Sequence, residues 1–204
     1  TLIDADGNEK ASAIADLRPI ISAKLPVEDP VLWNGRKNPY LYTVRCEIFD
    51  STTQEVTDNI DIRTGLREYH IDSHKGFFLN GKHIKLQGVS RHQDRENMGN
   101  AITEKQHAED VKIILDVGAN SVRLAHYQQN SYFYDLCDES GLLVWAEVPV
   151  ISRFSPKRNE NAEQQLVELI KQNYNHPSIF CWGIENEITI AGSASMHNTT
   201  VPLR

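Results

Sequence analysis

A buried strand that ends in carboxyl groups can present them for proton transfer, and the run Ile179-Phe180-Cys181-Trp182-Gly183 leads straight into Ile184-Glu185-Asn186-Glu187. Three earlier apolar runs end similarly. Ile84-Lys85-Leu86-Gln87-Gly88-Val89 is followed by Arg91-His92-Gln93-Asp94, Ser121-Val122-Arg123-Leu124 leads to His126-Tyr127, and Leu142-Leu143-Val144-Trp145-Ala146-Glu147 closes on its own carboxyl. This set suits a sugar. Retaining glycoside cleavage needs one carboxyl that protonates the leaving oxygen and then activates water, with a second carboxylate about 5 Å away as nucleophile. Arg, Asn and His nearby would bind hydroxyls and hold the two carboxyls in opposite protonation states.

Each residue also has a plainer reading. His92 or His126 taken singly is more often a hydrogen-bonded structural histidine, and Arg123 could be an internal ion-pair partner. Glu185 and Glu187 could both be solvated loop charges, and strand alternation puts them on one side without choosing between them. Trp145 could stack on a sugar ring, whereas Trp182 reads better as a core residue. Recurrence of such groups at one end of successive strands favours a site.

The elements that must position them change character near residue 75. Before it the chain reads as β structure. Tyr40–Phe49 alternates core-type and polar residues, and Ala13–Leu17 and Ile20–Ala23 are weaker strands. Asp50–Thr53 reads as a hairpin connection into Glu55–Ile60, and the whole as an antiparallel sandwich. After residue 82, short apolar strands alternate with helices. The first helix is predicted over 104–117, with Thr103 and Gln106 as a capping box, an apolar stripe of Ala108, Val111, Ile114 and Leu115, and Gly118 as its stop. The second is predicted over 131–139 and stopped near Gly141. The third is predicted over 162–174, capped by Asn161 and stopped by Asn175-His176-Pro177.

Such alternation implies a parallel sheet. The first strand is followed by Gly88-Val89-Ser90-Arg91-His92-Gln93, which lacks the glycines of a dinucleotide-binding turn. Half of a (β/α)8 barrel therefore fits best, with the chemistry at the C-terminal strand ends. The expected division is residues 1–75 as sandwich and 76–204 as barrel strands one to four.

Composition excludes several classes. Among 204 residues, 40% are hydrophobic and 24% charged, ordinary values for a globular protein. The net charge of −7 comes with no Lys/Arg cluster, so nucleic acid and anionic membranes are poor partners. No apolar stretch reaches the roughly 20 residues of a membrane span. Cys46, Cys137 and Cys181 are widely spaced, lack metal-ligand spacing, and are expected to be buried free thiols. No signal peptide heads the chain, and the compartment stays open between bacterial cytoplasm and periplasm.

At this point the residues resemble a known family. Leu79-Asn80-Gly81-Lys82 with Leu86-Gln87-Gly88-Val89-Ser90-Arg91-His92, then Arg123-Leu124-Ala125-His126-Tyr127, resemble segments of glycoside hydrolase family two. Leu136–Leu142, Asn175-His176-Pro177-Ser178-Ile179 and Trp182–Glu187 are similar to later segments of it, so the likeness covers roughly residues 30 to 190. The resemblance implies an immunoglobulin-like sandwich followed by a (β/α)8 barrel. It implies Glu187 as general acid/base, His92, Asp94, His126 and Asn186 as substrate-binding residues, and Arg123 as the residue that orients the nucleophile. The family's nucleophile is a Glu near the seventh strand, past the end of this chain, so the chain alone is expected to lack normal turnover. Some relatives hold magnesium through Glu-x-His after the third strand. Here Val150-Ile151-Ser152-Arg153 stands instead, so no such metal is expected, nor any cofactor.

The expected substrate is a β-galactoside, with β-glucuronide as the alternative and β-mannoside less favoured. A non-catalytic carbohydrate-binding module is the reading from another class. An open half barrel exposes strand edges, so a homo-oligomer or a longer parent is expected.

Overall fold

A computed structural model describes residues 1–152 and 159–188. The chain opens with two short strands, β1 (Leu2–Ile3) and β2 (Glu9–Ala11), joined by a turn that the Asp4 carboxylate closes on Asn8. A 3-10 turn at Gly35–Lys37 precedes the long hairpin of β3 (Tyr42–Phe49) and β4 (Val56–Thr64). These four form one antiparallel sheet in the order β2-β1-β3-β4. The candidate strands at Ala13–Leu17 and Ile20–Ala23 do not form. Pro19 interrupts that stretch, and Ile14, Leu17 and Ile20 lie exposed. Among the described residues the sheet has no second layer, and Cys46 on β3 is exposed rather than buried.

A three-stranded antiparallel sheet follows, made of β5 (Tyr69–Asp72), β6 (Gly76–Leu79) and β7 (Lys82–Ile84). The next strand, β8, runs Gly88–Arg91 instead of Ile84–Val89. The cause is a contact from far along the chain: the Asn120 side chain binds Gln87 N at 2.8 Å and Lys85 O at 2.8 Å, holding residues 85–87 as a connection. Then come α1 (Glu104–Asp116), β9 (Ser121–Leu124), α2 (Ser131–Ser140), β10 (Leu143–Glu147), α3 (Asn159–Asn173) and β11 (Ile179–Gly183). Strands β8 to β11 form a parallel sheet in the order β11-β10-β9-β8. Consecutive strands joined by helices and lying side by side make an arc of barrel wall.

Local chemistry explains the helix ends. Thr103 N donates to Gln106 Oε1 at 2.9 Å in the expected capping box. Asn130 Oδ1 accepts from Tyr132 N at 2.9 Å, and Gly141 closes α2 in the left-handed region at φ 73°. A side chain at Gly141 would lie 2.3 Å from the Gly35 backbone, so glycine also permits the close docking of the N-terminal segment. Helix α3 starts at Asn159, one turn earlier than its sequence pattern suggests, and Asn161 lies inside it.

The main core lies between the helices and the outer face of the parallel sheet, built on Val122, Leu124, Phe133, Val144, Ala146 and Leu169. A smaller cluster of Trp33, Phe77, Leu79 and Leu143 joins the three-stranded sheet and the N-terminal segment to the parallel sheet. Polar bonds reinforce that junction. Trp33 Nε1 donates to Asp138 O at 2.9 Å, Arg36 Nη1 to Ala119 O at 2.7 Å, and Arg67 to Pro177 O and Ile179 O. Among the described residues no helix is long and apolar enough to cross a membrane.

Candidate functional site

Strand register decides which side chains meet. Ser90, Arg123, Trp145 and Cys181 are successive partners across the parallel sheet, and two pairs further on Glu147 faces Gly183. Paired residues share a face, and period-two alternation puts Arg123, Trp145 and Glu147 on the face opposite the helical core. Arg91, Leu124, Ala146 and Trp182 share the other face. Trp182 packs against the helical core as expected, while Trp145 is partly exposed on the inner face.

At the C-terminal strand ends the inner-face residues form a continuous hydrogen-bonded frame. Glu147 is fully buried, and both its oxygens are used. Oε1 accepts from Arg123 Nε, and Oε2 lies 2.9 Å from His126 Nδ1. Arg123 Nη2 donates to Asn186 Oδ1 at 2.9 Å, and the guanidinium sits 5.4 Å from the Trp145 ring centroid. Asn186 is itself buried and clasped through its backbone: its N–H donates to Val150 O at 2.8 Å, and its C=O accepts from Ser152 N at 2.9 Å. The next residue, Glu187, is exposed and holds φ 57°. That conformation is uncommon outside glycine and costs about 1–3 kcal/mol, which the surrounding structure must impose.

His92 stands with its ring centroid 5.2 Å from that of His126 and 6.0 Å from that of Tyr127, while Gln93 N donates to Tyr127 Oη at 2.9 Å. The Ala125–His126 peptide is cis. Arg123, His126 and Asn186 therefore lie in one network with His92 against it and Glu187 beside it. Asp94 is exposed and makes no hydrogen bond or ion pair among the described residues, so the structure does not draw it into the network. Of the run Val150–Arg153, Arg153 lies outside the described residues.

Glycine at 183 makes the frame possible. A Cβ there would lie 2.3 Å from Trp145 Nε1 and 2.5 Å from Glu147 Cγ. The thiol of Cys181 is half-buried and is raised above its usual range, first by burial and then by the Glu147 charge. Glu147 is the member that sequence reasoning left outside its site set. The available signal was a carboxyl closing an otherwise apolar strand two residues after Trp145, hence on the same face.

Arg91 belongs elsewhere. It is buried on the helical side, where it bonds Asp110 Oδ2 through Nη2 at 2.7 Å and meets His107 Nδ1 at 3.0 Å, stacked over Phe133. Burial lowers the His107 pKa, and the Arg91 cation lowers it further. This network ties α1 to the end of β8 just before His92.

Among the described residues one cluster has metal-ligand geometry: Asp135, Asp138 and His176 bring ligand atoms within 4.8 Å of one another. Its atoms already serve each other. Asp138 Oδ2 lies 2.6 Å from His176 Nδ1, Asp138 Oδ1 accepts from Ser178 N at 3.0 Å, and Asp135 lies 3.4 Å from Arg63. It acts as a joint between α2 and the start of β11.

The sequence matches two family profiles: "Glycosyl hydrolases family 2" over residues 1–67 and "Glycosyl hydrolases family 2, TIM barrel domain" over residues 71–200. It is 45% identical over 177 residues to a β-glucuronidase of Bacteroides fragilis, a match covering 82% of this chain and 25% of that protein. It is 32% identical over 188 residues to a β-galactosidase of Thermoanaerobacter pseudethanolicus, covering 90% of this chain and 25% of that protein. The crystal structure of an FMN-binding β-glucuronidase from Facaelibacterium prausnitzii L2-6 superposes with a TM-score of 0.87 at 41% identity, covering 99% of this chain and 31% of that one. The chain thus spans about a quarter of the length of these sequence relatives. With matched profiles over both its sheet regions, the chain belongs to glycosyl hydrolases family 2.

Proposed function

We propose that this chain carries the acid/base part of a retaining β-glycosidase site, with Glu187 as general acid/base and a β-glucuronide as the favoured substrate. The observation that carries the reading is the frame at the strand ends. Arg123 binds Asn186, the neighbour of Glu187, and is itself fixed by Glu147, which also holds His126. An exposed Glu187 carboxyl on a constrained backbone is free to meet a leaving-group oxygen and then a water. Asn186, His126, His92 and Asp94 would bind sugar hydroxyls, and Arg123 would orient the nucleophile.

Burial and two engaged oxygens make Glu147 a poor nucleophile, which supports assigning that role to a carboxylate in a longer parent. The preference for glucuronide over the galactoside expected from sequence is supported by the B. fragilis relative at 45% identity, against 32% for the β-galactosidase named above. In the same reading the chain divides near residue 75. The uncovered face of the β1–β4 sheet then belongs to an immunoglobulin-like sandwich whose other layer lies elsewhere in the parent.

The test is hydrolysis of aryl β-glucuronide, β-galactoside and β-mannoside by a longer parent carrying this chain, with and without Glu187→Gln. Glucuronide turnover that Glu187→Gln abolishes, with inhibitor binding retained, is the expected result. Equal loss of turnover and binding would sink the acid/base assignment, and a galactoside preference would sink the substrate assignment.

A further inference from the structure

We infer that Glu147 is a positioning residue that fixes which ring nitrogen of His126 faces the substrate with a lone pair. The inference rests on the sugar-site reading above for its functional meaning, but its chemistry is readable without any substrate.

Glu147 has no exposed surface, and its two oxygens face Arg123 Nε on β9 and His126 Nδ1 in the loop after it. An ionised carboxylate is acceptor-only. The Arg123 guanidinium has no acceptor atom, so Oε1 must accept from its Nε–H. Oε2, 2.9 Å from His126 Nδ1, likewise accepts, so the ring proton belongs on Nδ1. In the neutral ring Nε2 then carries the lone pair. His126 is thereby held ready to accept from a hydroxyl, and the same carboxylate aligns Arg123 so that Nη2 reaches Asn186. One buried group thus ties the β9 and β11 contributions to a single geometry, as the outer partner of a ligating histidine does in metal sites.

Replacing Glu147 by Gln makes a sharp contrast. The amide has one acceptor and one donor end. Its oxygen must face Arg123 Nε, because two donors cannot face each other, and its NH2 then points at His126 Nδ1. The ring responds by accepting at Nδ1 and moving its proton to Nε2. Size and burial barely change, while the tautomer reverses.

The experiment is long-range 1H–15N NMR at pH 8.5 on this chain labelled with [15N]histidine, with the His126 signals assigned by their loss in His126→Gln. The unsubstituted protein is expected to show His126 protonated at Nδ1, and Glu147→Gln to show it protonated at Nε2. His107 serves as the internal control for an intact fold, since its Nδ1 accepts from Arg91 and its proton stays on Nε2 in both proteins. A His126 proton on Nε2 in the unsubstituted chain overturns the inference, even if the variant fails to fold. So does an unchanged tautomer in a folded Glu147→Gln. In a longer parent with turnover, Glu147→Gln is expected to lower kcat by roughly 10²-fold or more, the scale of a wrong histidine tautomer or a 1 Å misplacement. A kcat within threefold of the parent overturns it there. Absence of glycosidase turnover in the parent would instead sink the functional reading and leave the tautomer result standing.

Discussion

Substituting Gly183 by alanine puts one methyl group where the site has no room for it, and its cost can be worked from two distances. The new Cβ would sit 2.3 Å from Trp145 Nε1 and 2.5 Å from Glu147 Cγ, whereas ordinary van der Waals contact begins near 3.4 Å. One or both side chains must therefore retreat by about an ångström. Trp145 is partly exposed and can swing, but Glu147 is buried and pinned by Arg123 and His126. Overpacking of this kind costs about 1–3 kcal/mol of stability. For a domain of this size that lowers Tm by roughly 2–4 °C per kcal/mol. An ångström of misplacement in a catalytic frame can cost about 10²-fold in rate. Urea unfolding of the chain should show a lower midpoint for Gly183→Ala at unchanged slope, and a longer parent should lose roughly 10²-fold in kcat. Adding Trp145→Ala should recover part of the stability, because it removes the nearer clash, but not the rate, because the Glu147 clash persists. Stability within about 0.5 kcal/mol and unaltered turnover for the single variant would refute the argument.

Trp33→Phe keeps most of the buried ring but removes the N–H that satisfies the Asp138 carbonyl near the C-terminus of α2, so it should cost about 1–3 kcal/mol in urea melts. Trp33→Ala should cost about 3–5 kcal/mol by opening the junction cluster, and a loss under about 1 kcal/mol would mean the two sheet regions are not coupled there. Alkylation by iodoacetamide should modify exposed Cys46 first and buried Cys137 only on unfolding, since burial raises the Cys137 thiol well above its usual range. Quantified labelling by mass spectrometry checks this. Stability should fall as pH rises past about 9. The unfolded chain releases the thiol protons first while folded Cys137 and Cys181 retain theirs, and Cys137→Ala should flatten that decline in pH-dependent melts.

Where local chemistry decides structure, the sequence was readable. Thr103 and Gly141 mark helix ends that the structure reproduces closely, and the short apolar runs at Ser121–Leu124 and Ile179–Gly183 are strands with those bounds. Reading failed where a distant group decides. Residues 85–87 carry a strand pattern, yet the Asn120 side chain, more than 30 positions away, takes their backbone groups. The apolar residues Ile14, Leu17 and Ile20 look like core, but nothing among the described residues covers them. In the site, Arg123, His126 and Asn186 were legible as polar groups at strand ends. Glu147 as their holder was not, because that role depends on parallel register, which places Trp145 opposite Arg123 and Glu147 opposite Gly183. Arg91 shows the same limit from the other side. Its alternation phase sends it to the helices, and composition alone did not reveal that.

The clasp between Asn186 and residues 150–152 has an evolutionary consequence. Because Val150 O and Ser152 N grip the Asn186 backbone, the segment just after β10 is anchored to the end of β11. Insertions or deletions beyond residue 152 can then be absorbed without shifting the backbone register of Asn186 and Glu187. Homologues can thus vary the length and sequence of that connection while keeping the end of β11 in place.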